Sequence, residues 1–124
     1  MEPQGVEGSI RAWLLAFGLT TAIETSLLAW LGRRAEPRLV RRVGIALFGN
    51  AASHPVVWFA FPALGLGWGQ TTALSEAWAW LLEATLYRLA LHSASWRVAL
   101  GLSFAANIAS FVLGLVLWAL HVVP

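Results

Sequence analysis

Four long apolar stretches limit what this chain can fold into. They cover Ile10–Leu31, Val43–Leu66, Thr72–His92 and Val98–Val122. Each can supply the ~20 residues that an α-helix needs to cross a bilayer. Four segments are too few to close a membrane barrel, so backbone groups in lipid must bond within helices. The sequence predicts an all-α polytopic membrane protein with four transmembrane helices, forming a single membrane domain over residues 1–124.

Composition supports the membrane assignment. The chain is 59% hydrophobic and 11% charged, whereas soluble domains carry about 25% charged residues. A soluble domain of 124 residues could not bury so much apolar surface. Without cysteine, the chain has no disulfide, thiolate metal site or thiol nucleophile. The net charge of +2 does not indicate nucleic-acid binding.

The arginines predict the orientation of the helices. Five of them lie in the first loop, and Arg88 and Arg97 flank the third loop. The second loop and the C-terminal tail have neither lysine nor arginine. Short cytoplasmic loops are enriched in these residues. We therefore expect a multi-pass protein of the bacterial cytoplasmic (inner) membrane, with both termini outside the cytoplasm.

Polar motifs recur in the two halves of the chain. ETSLL at Glu24 matches EATLY at Glu83, and FGNAAS at Asn50 matches FAANIAS at Asn107. The Glu-to-Asn separations are 26 and 24 residues. This pattern predicts two parallel-repeat helical hairpins, over about residues 10–66 and 72–122, related by a pseudo-two-fold axis along the membrane normal.

The repeated residues are expected to form a polar layer inside the membrane. A carboxylate facing lipid is costly, so the glutamates should face the protein interior and find partners there. Helical spacing adds further polar residues to the same faces. The predicted ion- or substrate-binding residues are Glu24, Asn50, His54, Glu76, Glu83, Tyr87 and Asn107. His54 and a glutamate could supply mixed metal ligands, but no paired-ligand spacing supports this, and no metal site is predicted.

Two functions of different classes fit this layer. In the first, the layer binds and passes a small cation, most simply a proton, with Glu24 and Glu83 as carriers. In the second, the chain is an accessory or assembly subunit, and protonated glutamates and asparagines only hold its helices together. Either way, a thin bundle should form a homo-oligomer or join a larger membrane complex. The chain has no Asp and no catalytic motif, so enzymatic activity is not favoured, and no cofactor can be assigned.

Two resemblances are limited to short parts of the chain. The size and span count resemble those of small multidrug-resistance transporters, which carry a carboxylate in the first helix, as Glu24 does here. The stretch NIASFVLG is similar to a helix motif of small fluoride channels. The Gly-rich and Thr–Phe motifs expected elsewhere in those channels are missing. Neither resemblance implies a function for this chain.

Overall fold

A computed structural model describes residues 6–122 of the chain, and over these residues it is helical with no strand. The four main helices are α1 (Val6–Leu31), α2 (Leu39–Pro55), α3 (Trp68–Ala90) and α4 (Trp96–Ala119). Short 3₁₀ turns at Gly32–Arg34 and Pro62–Leu64 lie within the first two loops. The all-α prediction is therefore confirmed. The predicted position of the two chain ends falls partly on residues 1–5 and 123–124, outside the described residues.

Three segments are long and apolar enough to cross a membrane: Ser9–Arg34, Leu39–Leu64 and Trp96–Ala119. They correspond to the first, second and fourth predicted spans. The 23-residue α3 covers most of the third predicted span but is not among these three segments, and it carries two glutamates and a run of Gln and Thr near its start. These findings indicate a membrane protein.

The four helices form a closed ring. Each helix packs against its neighbour in the chain, and α4 packs against α1. The first and third loops meet at one end, where the backbone N–H and the hydroxyl of Ser93 both donate to the Ala35 carbonyl, at 2.9 and 3.2 Å. We call this the arginine-rich end.

A network around Glu36 orders the first loop. Pro37 disfavours a helical backbone at Glu36. The helix α2 begins at Leu39, two residues after this proline. Arg41 and Arg42 therefore lie in the first turn of α2 rather than in a loop as the sequence suggests. The Arg42 guanidinium is buried and donates to the carbonyls of Glu36 and Pro37.

The second helix does not continue regularly after Pro55. A proline has no N–H to donate to the preceding turn. The chain then widens into a π turn over Val56–Ala60, in which the Phe61 N–H donates to the Val56 carbonyl at 3.1 Å. A π turn shifts the register of side chains beyond it. Trp58 lies within this segment, four residues after His54, and stacks on the His54 ring.

Candidate functional site

A cavity of about 240 Å³ lies inside the helix ring. Six of the seven residues predicted for the site line it: Glu24, Asn50, His54, Glu76, Glu83 and Asn107. They come from all four helices, so the cavity depends on the whole bundle. Tyr87, the seventh, does not line it. The structure brings the six together, and their role in binding remains a prediction.

Among the carboxyl groups of the cavity, Glu83 has the most complete set of hydrogen-bond partners. Its Oε1 accepts a hydrogen bond from Ser53 Oγ at 2.9 Å, and its Oε2 accepts one from Asn107 Nδ2 at 2.8 Å. The side chain is 1% exposed. Both oxygens therefore have partners, and these bonds connect α3 to α2 and α4.

Only one of the two carboxyl oxygens of Glu24 has a hydrogen-bond partner among the described residues. Ser110 Oγ donates to its Oε1 at 2.7 Å, while Oε2 is buried without a hydrogen-bond partner. The carboxyl also lies close enough to interact with the side chains of Asn50 and Glu83. The two repeated glutamates thus meet in the centre of the bundle, but they have unequal sets of partners.

The two asparagines have defined amide orientations. Asn50 Nδ2 donates to the Ala46 carbonyl at 3.1 Å, and Asn107 Nδ2 donates to the Ser103 carbonyl at 2.9 Å. A carbonyl can only accept, so the amide nitrogen must face it in each case. Asn50 Oδ1 is consequently left buried and unpartnered. An acceptor in this state calls for a donor that the described part of the chain does not provide.

His54 is held by aromatic rings. Its ring meets Phe17 edge-on, with centroids 5.3 Å apart, and stacks on Trp58 at 6.2 Å. Nδ1 is buried without a hydrogen-bond partner. The imidazole is thus fixed in position, with one nitrogen free to bond a ligand or water in the cavity.

Glu76 and Tyr87 lie on opposite sides of Glu83 along α3. Glu76 is half-buried on the cavity wall. Tyr87 is fully buried in the apolar core, and its hydroxyl has no partner. Trp80 precedes Glu83 by three residues on the same face of α3, but its indole Nε1 donates to the Leu100 carbonyl at 3.0 Å and not to the glutamate.

The cavity is closed towards the arginine-rich end. Leu28 and Tyr87 follow the two glutamates by one helical turn, and Ala46 precedes Asn50 by one turn. All three are buried in one apolar cluster, which also contains Ala35, Leu91, Ala94 and Ala99. None of these residues lines the cavity. We call this cluster the apolar plug.

Several cavity residues were not among the predicted site residues. Ser53 and Ser110 were recognised only as part of the repeated motif, although the i, i+3 spacing of Asn-x-x-Ser places both side chains on one helix face. Ser75 lies two turns before Glu83 on α3, a spacing that could have identified it. Trp58 follows His54 by four residues, a helical spacing that could also have identified it.

The cavity offers carboxylate, amide, hydroxyl and imidazole groups. Among residues 6–122, no three His, Cys, Asp or Glu side chains are grouped as they would be around a metal ion. Comparisons with protein-family models, curated proteins and solved structures found no match.

Proposed function

We propose that this protein binds a small cation, most simply a proton, at the Glu24–Asn50 side of the intramembrane cavity. The observation that supports the proposal most directly is that Glu24 Oε2 and Asn50 Oδ1 are both buried acceptors without a donor. A proton on Glu24 would turn one of these acceptors into a donor to the other. Burying such groups without a partner costs about 1–3 kcal/mol each, which favours uptake of a donor.

The same chemistry makes Glu83 the second carrier. Its carboxyl interacts with that of Glu24, and two neighbouring carboxylates in a low-dielectric site repel each other. One proton shared between them removes this repulsion. The pair therefore takes up and releases a proton as a unit rather than as two independent residues.

Passage of the cation requires a change at the apolar plug. The cavity ends against Leu28 and Tyr87, whose side chains are 2% and 0% exposed. Binding and exchange from the opposite side need no such change. We therefore propose binding and exchange at the cavity as the first step, followed by conduction through transient opening of the plug.

The membrane arrangement is part of the proposal. We propose that α3 also crosses the bilayer, which gives four spans built as two related hairpins. The arginine-rich end then faces the cytoplasm of a bacterial inner membrane, with both termini outside. Single cysteines test this arrangement cleanly in a chain without native cysteine. Gly67→Cys and His92→Cys, at opposite ends of α3, should react with a membrane-impermeant maleimide from opposite sides; labelling from one side would contradict the fourth span.

The central test is proton uptake into proteoliposomes followed with an enclosed pH-sensitive dye. Glu24→Gln and Glu83→Gln should each abolish uptake, because glutamine preserves the side-chain shape but cannot exchange a proton. Glu36→Gln, in the first loop, is the matched control and should retain the wild-type rate. Proton uptake at the wild-type rate by both cavity variants would refute the proposal that these carboxylates carry the proton.

The alternative is an accessory or assembly subunit whose polar layer only joins its helices. The observation favouring it is that Ser53, Asn107 and Ser110 donate to the two glutamates from neighbouring helices. In that case the protein should co-purify stably with one larger membrane partner. It should also show no proton flux on its own, and both glutamine variants should still assemble with that partner.

A further inference from the structure

A second cavity of about 190 Å³ lies beside the polar one. It lies between α1 and α4, and it is lined mainly by apolar side chains such as Leu15, Leu19 and Trp118. The two cavities share five lining residues: Ala16, Thr20, Trp58, Ser110 and Gly114. They are therefore adjacent, with acidic groups in the first and mainly apolar groups in the second.

The polar cavity requires hydrogen-bond donors. Glu24 Oε2 and Asn50 Oδ1 are unpartnered acceptors, with side chains 1% and 0% exposed. The Asn50 amide nitrogen donates one of its two N–H groups to the Ala46 carbonyl. A primary ammonium group carries three donors, no acceptor and a positive charge. It therefore matches both the charge and the missing donors at this end of the cavity.

The apolar cavity suits a hydrocarbon group. Leu15 and Trp118 are 57% and 64% exposed, so this space is open to the hydrocarbon of the surrounding bilayer. An alkyl chain that lies there stays in hydrocarbon while a cationic head reaches the acidic groups of the neighbouring cavity. An amphiphile with a cationic head therefore fits the change in lining from the acidic cavity to the apolar one.

We propose that the two adjacent cavities together bind a primary alkylamine, with its ammonium group at Glu24 and Asn50 and its alkyl chain between α1 and α4. This inference rests on the proposed function, because it takes Glu24 as the cation-binding carboxylate. It adds the chemical class of the ligand and assigns the apolar cavity as the site of the alkyl chain.

Gly114 gives a way to test the apolar part separately. It lines both cavities, and a Cβ built on it meets no atom within 4 Å. Gly114→Leu therefore adds a side chain where the two cavities adjoin, at a position where the new Cβ meets no neighbour. Gly101, on the same helix, also has nothing within 4 Å of a built Cβ but lines neither cavity. Gly101→Leu is the matched control.

The experiment is calorimetric titration of the protein in lipid nanodiscs with n-hexylamine, after subtraction of the signal from empty nanodiscs. Hexanol and hexyltrimethylammonium should each bind at least tenfold more weakly, because the first lacks the charge and the second lacks N–H donors. Glu24→Gln and Gly114→Leu should each weaken hexylamine binding at least tenfold, and Gly101→Leu should leave it unchanged.

Equal binding of hexylamine and hexanol, or full binding by Gly114→Leu, overturns the amine proposal. These results leave the proton proposal standing if Glu24→Gln and Glu83→Gln still abolish proton uptake. Conversely, tight hexylamine binding that depends on Glu24 and Gly114 supports the amine proposal even where proton uptake survives in both glutamine variants. The two proposals can therefore fail independently.

Discussion

Ser53 and Ser110 occupy corresponding positions in the two halves of the chain, and each donates to the glutamate of the opposite half. The bond from Ser53 reaches Glu83 Oε1 at 2.9 Å, and the bond from Ser110 reaches Glu24 Oε1 at 2.7 Å. This reciprocal exchange is what a pseudo-two-fold axis between two hairpins would produce. It also joins the two halves at the level of the cavity, so the site and the association of the hairpins depend on the same bonds.

The unequal partners of the two glutamates predict unequal effects of removing the serines. Ser53→Ala leaves Glu83 with its bond from Asn107, whereas Ser110→Ala removes the one hydrogen bond that Glu24 accepts. Hydrogen bonds between membrane helices contribute about 0.6 kcal/mol on average and up to ~1.7. Ser110→Ala should therefore lower the free energy of unfolding by about 1–2 kcal/mol and Ser53→Ala by less, measured by steric trapping in bicelles. A larger loss of stability for Ser53→Ala than for Ser110→Ala would contradict the hydrogen-bond partners assigned to the two glutamates.

Glu24→Gln should separate stability from function. With Oε1 accepting from Ser110, the glutamine Nε2 faces the region where Glu24 Oε2 and Asn50 Oδ1 lack partners. An amide donor there satisfies Asn50, so the variant should be as stable as the wild type or more stable, by up to about 1 kcal/mol. The same variant should lose proton uptake. Loss of stability by more than ~1 kcal/mol would indicate that Glu24 is held as a charged group with partners other than those described.

Much of this arrangement follows from the sequence, and some of it does not. Apolar length predicts the helices, and the repeated Glu and Asn residues predict that polar groups from all four helices meet. The sequence did not predict that Tyr87 lies outside the cavity. Its i, i+4 spacing from Glu83 indicates a shared helix face, but it does not show that the cavity ends before the next helical turn. The π turn over Val56–Ala60 depends on how the backbone adjusts after Pro55. Burial of Arg42 depends on where α2 begins.

Close approach of α2 to α3 predicts different effects for two glycines of α2. A Cβ on Gly49 would lie 3.3 Å from Glu83 Cγ, whereas one on Gly44 meets nothing within 4 Å. Glu83 cannot easily move, because both of its carboxyl oxygens are bonded. Gly44→Ala should raise the free energy of unfolding by up to about 1 kcal/mol, because alanine has the higher helix propensity. Gly49→Ala should instead lower the free energy of unfolding by about 1–3 kcal/mol through overpacking. An equal gain in stability for both variants would show that the Glu83 side chain shifts freely.

The last prediction concerns acid stability at the arginine-rich end. Desolvation alone would raise the pKa of Glu36, but the backbone N–H and guanidinium of Arg38, together with the charge of Arg41, hold it below its ordinary value of 4.5. Arg38 donates to Oε1 through its backbone N at 3.1 Å and its Nε at 3.2 Å, and Arg41 Nη1 lies 3.6 Å from Oε2.

A carboxyl whose pKa is lowered on folding stabilises the folded state above its unfolded pKa, and this stabilisation is lost as the pH falls through the folded pKa. The wild-type protein should therefore become less stable as the pH drops below 4.5, and Glu36→Gln should reduce that dependence. Thermal unfolding in nanodiscs at pH values on both sides of 4.5 measures the effect. Parallel pH profiles for the two proteins would mean that Glu36 does not gain these interactions on folding. The Glu36→Gln variant should still take up protons at pH 7, because the loop network and the cavity are separated by the apolar plug.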